Sequence, residues 1–466
     1  MDHRTLKTES LLAVIGALLC CALSRALAAE AEEERWNAYG QATYISQWKD
    51  AFPAAYTNLN GTPNSLLPQR ERSWSATATA FLGRKLWQGG EIYFVPEMIA
   101  QVAFSDLHGI GGSVQNGELE KTGFSTPIFY VSRLFLRQTW NLGGESRELE
   151  SAPMQLAKSV DSRRFVVTAG NIAIIDIFDR NAYAGDIRQQ FLSMNFATYT
   201  AWDFAADARG YSWGLVGEYF HDEWALRAGR FLVPQLPNQL QLEHRFMDFY
   251  GDQVELEHQH SLVRKPGKIQ LLAYRNVALM GRWDDAVNAL QSDPGKNAAA
   301  CTDFNYGSSN PGAPDLCWVR RKESKVGAGV SVEQAITEDV GVSIRAMKSD
   351  GKTEVDSFTS TDSSAALAAV ARGVRWARPK DSVGLGLARN WISSSHVSYL
   401  SLGGADAFIG DGRISYKPEH LTEAYYNVNL SKLLWLTLDF QHLQNPAYNA
   451  DRGPVTIYGL RAHLEF

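Results

Sequence analysis

Apolar and polar residues alternate in many separate segments of this chain. In VTIYGLRAHLEF, residues 455–466, Tyr458, Leu460 and Leu464 fall on one side, while Arg461 and His463 fall on the other. A period of two residues is typical of a β-strand with one apolar and one polar face. Most of the segments have about 9–12 residues, close to what a tilted strand needs to cross a bilayer. About sixteen can be counted, at residues 36–44, 74–84, 91–99, 129–140, 163–171, 211–220, 223–232, 252–260, 268–276, 325–334, 340–348, 366–376, 382–391, 422–430, 433–442 and 455–466.

The connections between these segments alternate in length. Every second one is a short turn, such as HD after residue 220 or SK after residue 430. The others are long, at residues 45–73, 100–128, 172–210, 233–251, 277–324, 349–365, 392–421 and 443–454. Short turns at one end and long loops at the other are typical of outer-membrane barrels. The sequence therefore predicts an all-β fold, a transmembrane antiparallel β-barrel of about 16 strands with short periplasmic turns and long extracellular loops. One connection on the short side, 141–162, is long and polar enough to hold a small helix.

The segment at residues 455–466 is expected to close this barrel. A sheet in lipid cannot keep an open edge, because unpaired N–H and C=O groups find no water there. The segment should therefore pair with the first one and turn its apolar side toward lipid. Its polar side then faces the lumen, which at about sixteen strands is wide enough for a water-filled channel.

The first thirty residues have the composition of a secretory signal peptide. Arg4 and Lys7 precede an apolar run at residues 11–23, and Ala26 and Ala28 provide the small residues of a cleavage site. We expect residues 1–28 to be removed and residues 29–466 to form the barrel domain; a retained anchor is the alternative. The net charge of −6 and the lack of a basic block argue against a nucleic-acid partner.

Two cysteines remain after this cleavage, Cys301 and Cys317, and both lie in the long connection 277–324. An exported chain enters an oxidising compartment, so we expect a disulfide across this loop. Two free thiols are the alternative.

The predicted inward faces carry a mixture of charged and aromatic side chains. Arginine forks donate paired hydrogen bonds, carboxylates accept them, and aromatic rings stack on the C–H faces of sugars. This mixture suits neutral polyols and sugars better than simple ions, although every wide barrel also carries inward charges that only hydrate its wall. The inward residues that we consider substrate-binding or pore-lining are Arg133, Arg137, Arg227, Arg345, Glu218, Glu255, Tyr425 and Trp435.

Motifs for nucleotide or metalloprotease chemistry are missing from the sequence. It contains no phosphate-binding loop and no H-E-x-x-H. His258 and His260 provide two candidate metal ligands without a third, which is more typical of rim residues than of a metal site. We therefore expect no enzyme activity, no cofactor and no metal. An outer-membrane enzyme of the lipase type would need a Ser–His pair at the outer rim, and a plugged structural barrel would not conduct.

Several longer motifs resemble the carbohydrate-selective porins of the OprB type over essentially all of residues 35–466. They include RWNAYGQATYISQWKDAF, GGEIYFVPE, RLFLRQTW, FDRNAYAGDIRQQFL, FAADARGYSWG, EWALRAGRF, YGDQVELEH and YGLRAHLEF. The resemblance implies a sixteen-stranded barrel in the bacterial outer membrane that passes monosaccharides, glucose being the best known, through a pore lined by arginines. It also implies that inward-folded loops narrow the pore.

On these motifs, Arg133, Arg137 and Arg209 correspond to pore arginines, and the connection 172–210 resembles the constricting loop. The partners that the resemblance implies are sugars as the permeating substrate, with outer-membrane lipid and lipopolysaccharide around the barrel. A homo-oligomer is possible, and trimer and monomer both stay open. The connection 277–324 departs from the family, which leaves a general or differently selective porin as the alternative function.

Overall fold

All sixteen predicted segments become strands of one closed antiparallel barrel in the computed structural model, which describes residues 34–298, 306–358 and 360–466. The described residues form eighteen strands, of which β5 and β6 make a separate hairpin. The strands are β1 (Trp36–Lys49), β2 (Glu71–Trp87), β3 (Gly90–Val102), β4 (Ile128–Asn141), β5 (Ser146–Leu149), β6 (Lys158–Asp161), β7 (Arg163–Ile172), β8 (Ser212–His221), β9 (Trp224–Phe231), β10 (Tyr250–Leu262), β11 (Lys265–Met280), β12 (Arg321–Ala335), β13 (Val340–Ser349), β14 (Ser363–Gly373), β15 (Arg378–Trp391), β16 (Glu419–Asn429), β17 (Leu434–Gln444) and β18 (Val455–Glu465).

Strand β18 closes the barrel against β1, as the sequence predicts. Their register pairs Gln41 with Glu465 and Lys49 with Ile457. Gly40 and Phe466 exchange backbone hydrogen bonds of 2.7 and 2.9 Å. A Cβ atom on Gly40 would lie 2.3 Å from the Phe466 ring, so only glycine lets this ring pack against the first strand.

The two faces of the wall follow the alternation in the sequence. On β18, Arg461 and His463 point inward and are buried, whereas Tyr458 and Leu464 are exposed on the outside. Five exposed tryptophans lie near the short-turn end, as in an interfacial girdle of a membrane barrel. They are Trp36, Trp87, Trp140, Trp224 and Trp376.

Residues 141–162, which are long and polar enough to hold a small helix, contain none. They form the hairpin of β5 and β6, and the residues between these strands lie against β1. Asn37 Nδ2 donates to Ser151 Oγ at 3.1 Å and to the Gln155 carbonyl at 2.7 Å. The segment thus finds its hydrogen-bond partners on the barrel rim and across the hairpin rather than within a helix, which explains why its polarity was misleading.

The long loops contain the short helices of the described chain, except the 3₁₀ helix Val374–Trp376, which lies in a short turn. The α-helices are α1 (Met194–Ala197), α2 (Trp283–Ser292), α3 (Pro294–Ala298) and α4 (Ser394–Ser401). Short 3₁₀ helices occupy Leu59–Gly61, Phe104–Leu107, Gly117–Lys121, Ile174–Asp176, Leu316–Trp318, Val374–Trp376 and Pro446–Tyr448. Within the described residues, no helix has the length and apolar character needed to span a membrane.

Two sequence predictions concern residues outside the described part of the chain. The signal peptide at residues 1–28 lies there entirely. Cys301 lies there as well, while Cys317 is a buried, disulfide-bonded residue in the 3₁₀ helix Leu316–Trp318. The pairing of Cys301 with Cys317 therefore stays a prediction.

An arginine at the middle of the outward face should destabilise the barrel. Leu385 lies near the centre of β15 with 54% of its surface exposed, while Val374, 57% exposed, lies in a short turn. We expect Leu385→Arg to lower the free energy of unfolding by about 2–4 kcal/mol and Val374→Arg by about 0–1 kcal/mol, because a cation is least tolerated at the bilayer midplane. Equilibrium unfolding in guanidinium chloride, with the protein in phospholipid vesicles, measures both values. Equal losses in the two variants would contradict the assignment of this face to lipid.

Candidate functional site

Two long loops fold into the barrel lumen. We call residues 103–127, between β3 and β4, loop A, and residues 173–211, between β7 and β8, loop B. Ile174, Phe178 and Trp202 of loop B are buried in one apolar cluster with Phe135 of β4 and Phe231 of β9. Loops A and B also bind each other, because the Gly117 and Met194 amides donate to the Leu192 and Val114 carbonyls at 3.0 and 3.1 Å. The lumen is therefore partly filled by chain that the sequence assigned to connections.

Buried carboxylates of the wall hold the backbone of these loops. Glu419 of β16 accepts hydrogen bonds from the amides of residues 111, 112 and 113 in loop A at 2.8, 2.9 and 3.1 Å. Glu423, also in β16, accepts the amides of Leu192 and Ser193 in loop B at 2.6 and 3.2 Å. Backbone N–H groups that are buried away from water need such partners. The wall therefore fixes the loops in place.

Wall arginines do the same for the loop carbonyl groups. Arg345 of β13 pairs with Asp179 at 2.9 Å and donates to the carbonyls of Ala184 and Phe196. Arg461 of β18 donates to the carbonyls of Ile187 and Gln190, both at 2.8 Å. All of these acceptors belong to loop B, which is thus held from several sides of the barrel.

A network of paired charges joins the two loops to β3. Glu97 of β3 accepts Lys121 of loop A at 2.8 Å and Arg188 of loop B at 2.9 Å. Arg188 and Lys121 also pair with Glu118 at 2.6 and 3.3 Å. Tyr211 donates its hydroxyl to Glu97 at 3.1 Å. Each cation in this network has at least two carboxylate partners, so its charge is locally compensated.

A cavity of about 530 Å³ remains open beside this network, between loop A, loop B and the wall. Its lining combines many charged side chains with aromatic, aliphatic and neutral polar residues. The cations are Lys121, Arg133, Arg180, Arg188 and Arg209, and the carboxylates are Glu118, Glu120, Asp176, Asp179, Asp186 and Asp207. The aromatic side chains are Phe204, Tyr211, Phe358 and Phe408.

Two glutamates of loop A have opposite electrostatic surroundings. Burial favours the neutral form of Glu118, but Arg188 and Lys121 outweigh it and hold the pKa of this carboxyl below its usual range. Glu120 has no salt bridge in the described chain, and burial raises its pKa to about 8. Glu120 is therefore largely neutral at pH 7, and the ionised carboxylates of the lining then number no more than its five cations.

Two of the predicted pore arginines line this cavity. Arg133 of β4 holds Asp176 of loop B through a fork, with an Nη2–Oδ1 distance of 2.8 Å, and lies 5.2 Å from the centre of the Tyr211 ring. Arg209 of loop B lies 4.9 Å from the centre of the Tyr130 ring. The connection 172–210, expected to be the constricting loop, corresponds to loop B.

Arg137 lies apart from the cavity. It is four residues from Arg133 on the same face of β4, but its Nη1 donates to the Met154 carbonyl in the hairpin segment at 2.8 Å. Its guanidinium packs between the rings of Tyr93 and Phe135, 5.3 and 5.2 Å from their centres. The distance along the strand separates the two arginines into different environments.

Four of the remaining predicted residues belong to wall contacts. Arg227 forms salt bridges of 3.0 Å with Glu218 and 2.8 Å with Glu255. Glu255 also accepts the Asp179 amide of loop B at 2.7 Å, and Arg345 holds loop B as described above. None of the four lines the cavity, and each has an ion-pair partner in the protein.

The two predicted aromatic residues are also outside the cavity lining. Tyr425 is buried with its ring 4.9 Å from that of Phe191 in loop B. Trp435 lies at the start of β17, 6.2 Å from the His463 ring. Both therefore support the loop or the rim rather than the open passage.

The cavity is also lined by Lys121, Arg180 and Arg188, which belong to the loops. The alternation along the strands could not predict them, because they lie outside the predicted strands. Arg180 and Arg188 lie in the motif FDRNAYAGDIRQQFL, whose length and charge density were the available signal. Lys121 lies in GELEK, where no strand pattern marked it.

His258 and His260 do not form a metal site with a third ligand. The His258 ring stacks on Trp224 at 4.2 Å between centres, and His260 contacts Gln334 at 3.0 Å. Across residues 34–298, 306–358 and 360–466, no group of three or more His, Cys, Asp or Glu side chains is arranged to hold a metal ion.

The chain resembles known porins in its sequence profile and its fold. The profile of the carbohydrate-selective porin family OprB matches residues 81–466. There is no match among curated proteins.

Among solved structures, Pseudomonas putida OprB at high pH is similar over 93% of this chain and 94% of that chain, with 14% identity and a TM-score of 0.64. The low-pH structure of the same protein covers 93% of each chain at 11% identity, with a TM-score of 0.46. Pseudomonas aeruginosa OccK2 (OpdF) matches 93% of this chain and 99% of that chain at 9% identity, with a TM-score of 0.44. The first of these similarities shows the porin fold. Because the family profile also covers most of the sequence, the chain belongs to the OprB family of carbohydrate-selective porins.

Proposed function

We propose that this protein is an outer-membrane channel for the passive, selective diffusion of sugars, with monosaccharides such as glucose as substrates. The observation that carries the proposal is the cavity between loops A and B. Its volume of about 530 Å³ lies within the range of roughly 300–1,000 Å³ that is typical of small-molecule sites. Family membership supports the choice of carbohydrate as the substrate class.

The balance of charge in the cavity favours a neutral substrate. Most lining cations have carboxylate partners, as in the pairs Arg133–Asp176 and Arg188–Glu118. A cavity with a net positive or negative charge would attract ions and would not strengthen the binding of a neutral polyol. A hydroxyl group both donates and accepts hydrogen bonds, so it can interact with arginine N–H groups and carboxylate oxygens in the same passage.

Permeation also requires that the substrate leave again. A single hydrogen bond to a sugar hydroxyl contributes about 0.5–1.5 kcal/mol net, because water is displaced from both partners. A few such bonds hold a sugar briefly in the cavity without trapping it, as conduction through any selective pore requires.

One observation favours the general porin as a second candidate function. The Arg133 fork is already occupied by Asp176, and wall residues such as Arg227 are fully engaged by carboxylates. If these pairs never exchange partners for sugar hydroxyls, the channel sieves by size alone. Sugar-dependent block of the ion current separates the two candidates, because a size sieve gives no saturable block.

Replacing Arg133 and Arg137 separately tests which arginine belongs to the passage. We expect Arg133→Gln to weaken glucose-induced block of the ion current about 2- to 10-fold, because one or two hydrogen bonds of about 0.5–1.5 kcal/mol are lost. Arg137→Gln is the matched control, on the same strand face but outside the cavity, and should leave the block unchanged. Planar-bilayer recordings of the purified proteins measure the effect. Equal block in wild type and Arg133→Gln would contradict a sugar-binding role for Arg133.

Removing the carboxylate of Glu419 should release loop A and widen the passage. Besides the three loop A amides, this carboxylate accepts the Ala447 amide at 2.8 Å. Hydrogen bonds to charged groups contribute about 1.5–3 kcal/mol each, so their loss is large compared with the stability of one loop. We expect Glu419→Ala to raise single-channel conductance and to reduce the preference for glucose over larger sugars in liposome swelling. Glu338→Ala, a turn residue whose side chain is 90% exposed, should behave like wild type.

The ion preference of the pore should change as Glu120 ionises. Because burial raises its pKa to about 8, Glu120 is neutral below that pH and negative above it. We expect the preference for cations, measured as the reversal potential in a KCl gradient, to increase between about pH 7 and about pH 9. Glu120→Gln should remove this step, whereas Glu338→Gln should keep it. A step that survives Glu120→Gln belongs to another group.

A further inference from the structure

Three basic side chains stand on the outward, lipid-facing surface of the barrel near its long-loop end. Each follows a run of outward apolar residues on its own strand, at the same spacing of two residues. We call Arg275 of β11, Lys348 of β13 and Arg389 of β15 the outer cation row; all three are exposed. The outward residues that precede them are Leu271 and Ala273, Ile344 and Ala346, and Leu385 and Leu387.

The strand register puts the three cations at one height in the membrane. Arg275 pairs with Val326 of β12, and Lys348 pairs two residues further along that strand, with Ala328. On β14, Lys348 pairs with Ser363, and Arg389 again pairs two residues further along, with Ala365. Both of these two-residue offsets in register are directed toward the short-turn end of the barrel.

These steps match the tilt of the strands. Crossing two strands covers about 9.6 Å and two residues cover about 6.7 Å, which corresponds to an angle of about 35°. Strands in membrane barrels tilt by roughly 35–45°, so a row with this step runs parallel to the membrane plane. Neighbouring members of the row are about 12 Å apart.

No member of the row forms a salt bridge with a carboxylate among the residues that the structure describes. Arg275 Nε donates only to Ser324 Oγ at 3.0 Å, and the Arg389 guanidinium lies 4.9 Å from the centre of the Trp391 ring. The next outward cation, Arg230 of β9, differs because Asp252 chelates it with two bonds of 2.7 Å. The row therefore carries uncompensated positive charge at the upper edge of the apolar band.

We propose that the outer cation row binds the phosphate groups of a multiply phosphorylated glycolipid in the outer leaflet. Cations just beyond the hydrocarbon region lie at the depth of lipid head groups, and each adjacent Lys or Arg attracts an anionic head group. Arginine also matches phosphate geometry with its planar fork. A head group with two separated phosphates can bridge two members of the row, which a lipid with one phosphate cannot do. The site lies on the opposite side of the wall from the sugar passage, so it does not depend on the proposed function.

Binding of bisphosphorylated lipid A to the full-length protein in detergent tests this proposal. Native mass spectrometry over a lipid titration gives the apparent dissociation constant. The variant Arg275→Gln/Lys348→Gln/Arg389→Gln should weaken binding on the order of a hundredfold, since each charge near the head groups contributes about a factor of five. The matched control Arg264→Gln/Lys380→Gln/Lys432→Gln removes three exposed cations at the short-turn end of the barrel and should bind like wild type. Dephosphorylated lipid A should bind wild type and the row variant equally weakly.

Three results would overturn the proposal. The row variant could bind lipid A as tightly as wild type, or the control variant could lose as much affinity as the row variant. A change of oligomeric state in the row variant, measured by light scattering, would instead assign the row to a contact between copies of the chain. Single-channel conductance and heat-modifiable mobility on gels verify that each variant is folded. A row variant that keeps wild-type sugar block while losing lipid A separates this site from the passage.

Discussion

The structure depends on one constraint: every backbone N–H and C=O group of the wall must find a partner inside the protein, because lipid offers none. The antiparallel pairs from β1 to β18 meet this demand only when the sheet closes, and the Gly40–Phe466 hydrogen bonds lie at that closure. Closure with sixteen strands leaves a wide lumen. The width of the lumen in turn makes room for loops A and B, and thus for a defined passage.

The same constraint returns inside the lumen. Loops A and B carry backbone groups into the lumen, where many of these residues are buried, and the wall provides their partners. Glu419 and Glu423 accept loop amides, and Arg345 and Arg461 donate to loop carbonyls. Most inward charges are thus used to hold the loops. The cavity receives its own charged groups from the loops, together with Arg133, and those groups are largely paired.

Inner and outer charges therefore have different surroundings. Inside, a cation such as Arg188 has two carboxylate partners within 2.9 Å, which keeps the passage near electrical neutrality and suits an uncharged substrate. On the outer surface, Arg275, Lys348 and Arg389 have no such partner among the described residues, and the lipid around them is the available source of negative charge. One barrel wall thus separates two kinds of electrostatic environment.

The sequence by itself determined the sixteen barrel strands, their two faces and the alternation of short and long connections. It could do so because a period of two residues is a local property that each strand carries alone. It also pointed to Arg133, Arg209 and the 172–210 loop through motifs. Only the tertiary structure decided that residues 141–162 form a hairpin and that Arg137 lies apart from the cavity. It also decided that Arg227 pairs with carboxylates of the wall and that Arg345 holds loop B. Those outcomes depend on contacts such as Arg345 with Asp179, 166 positions apart in the chain, which no local pattern records.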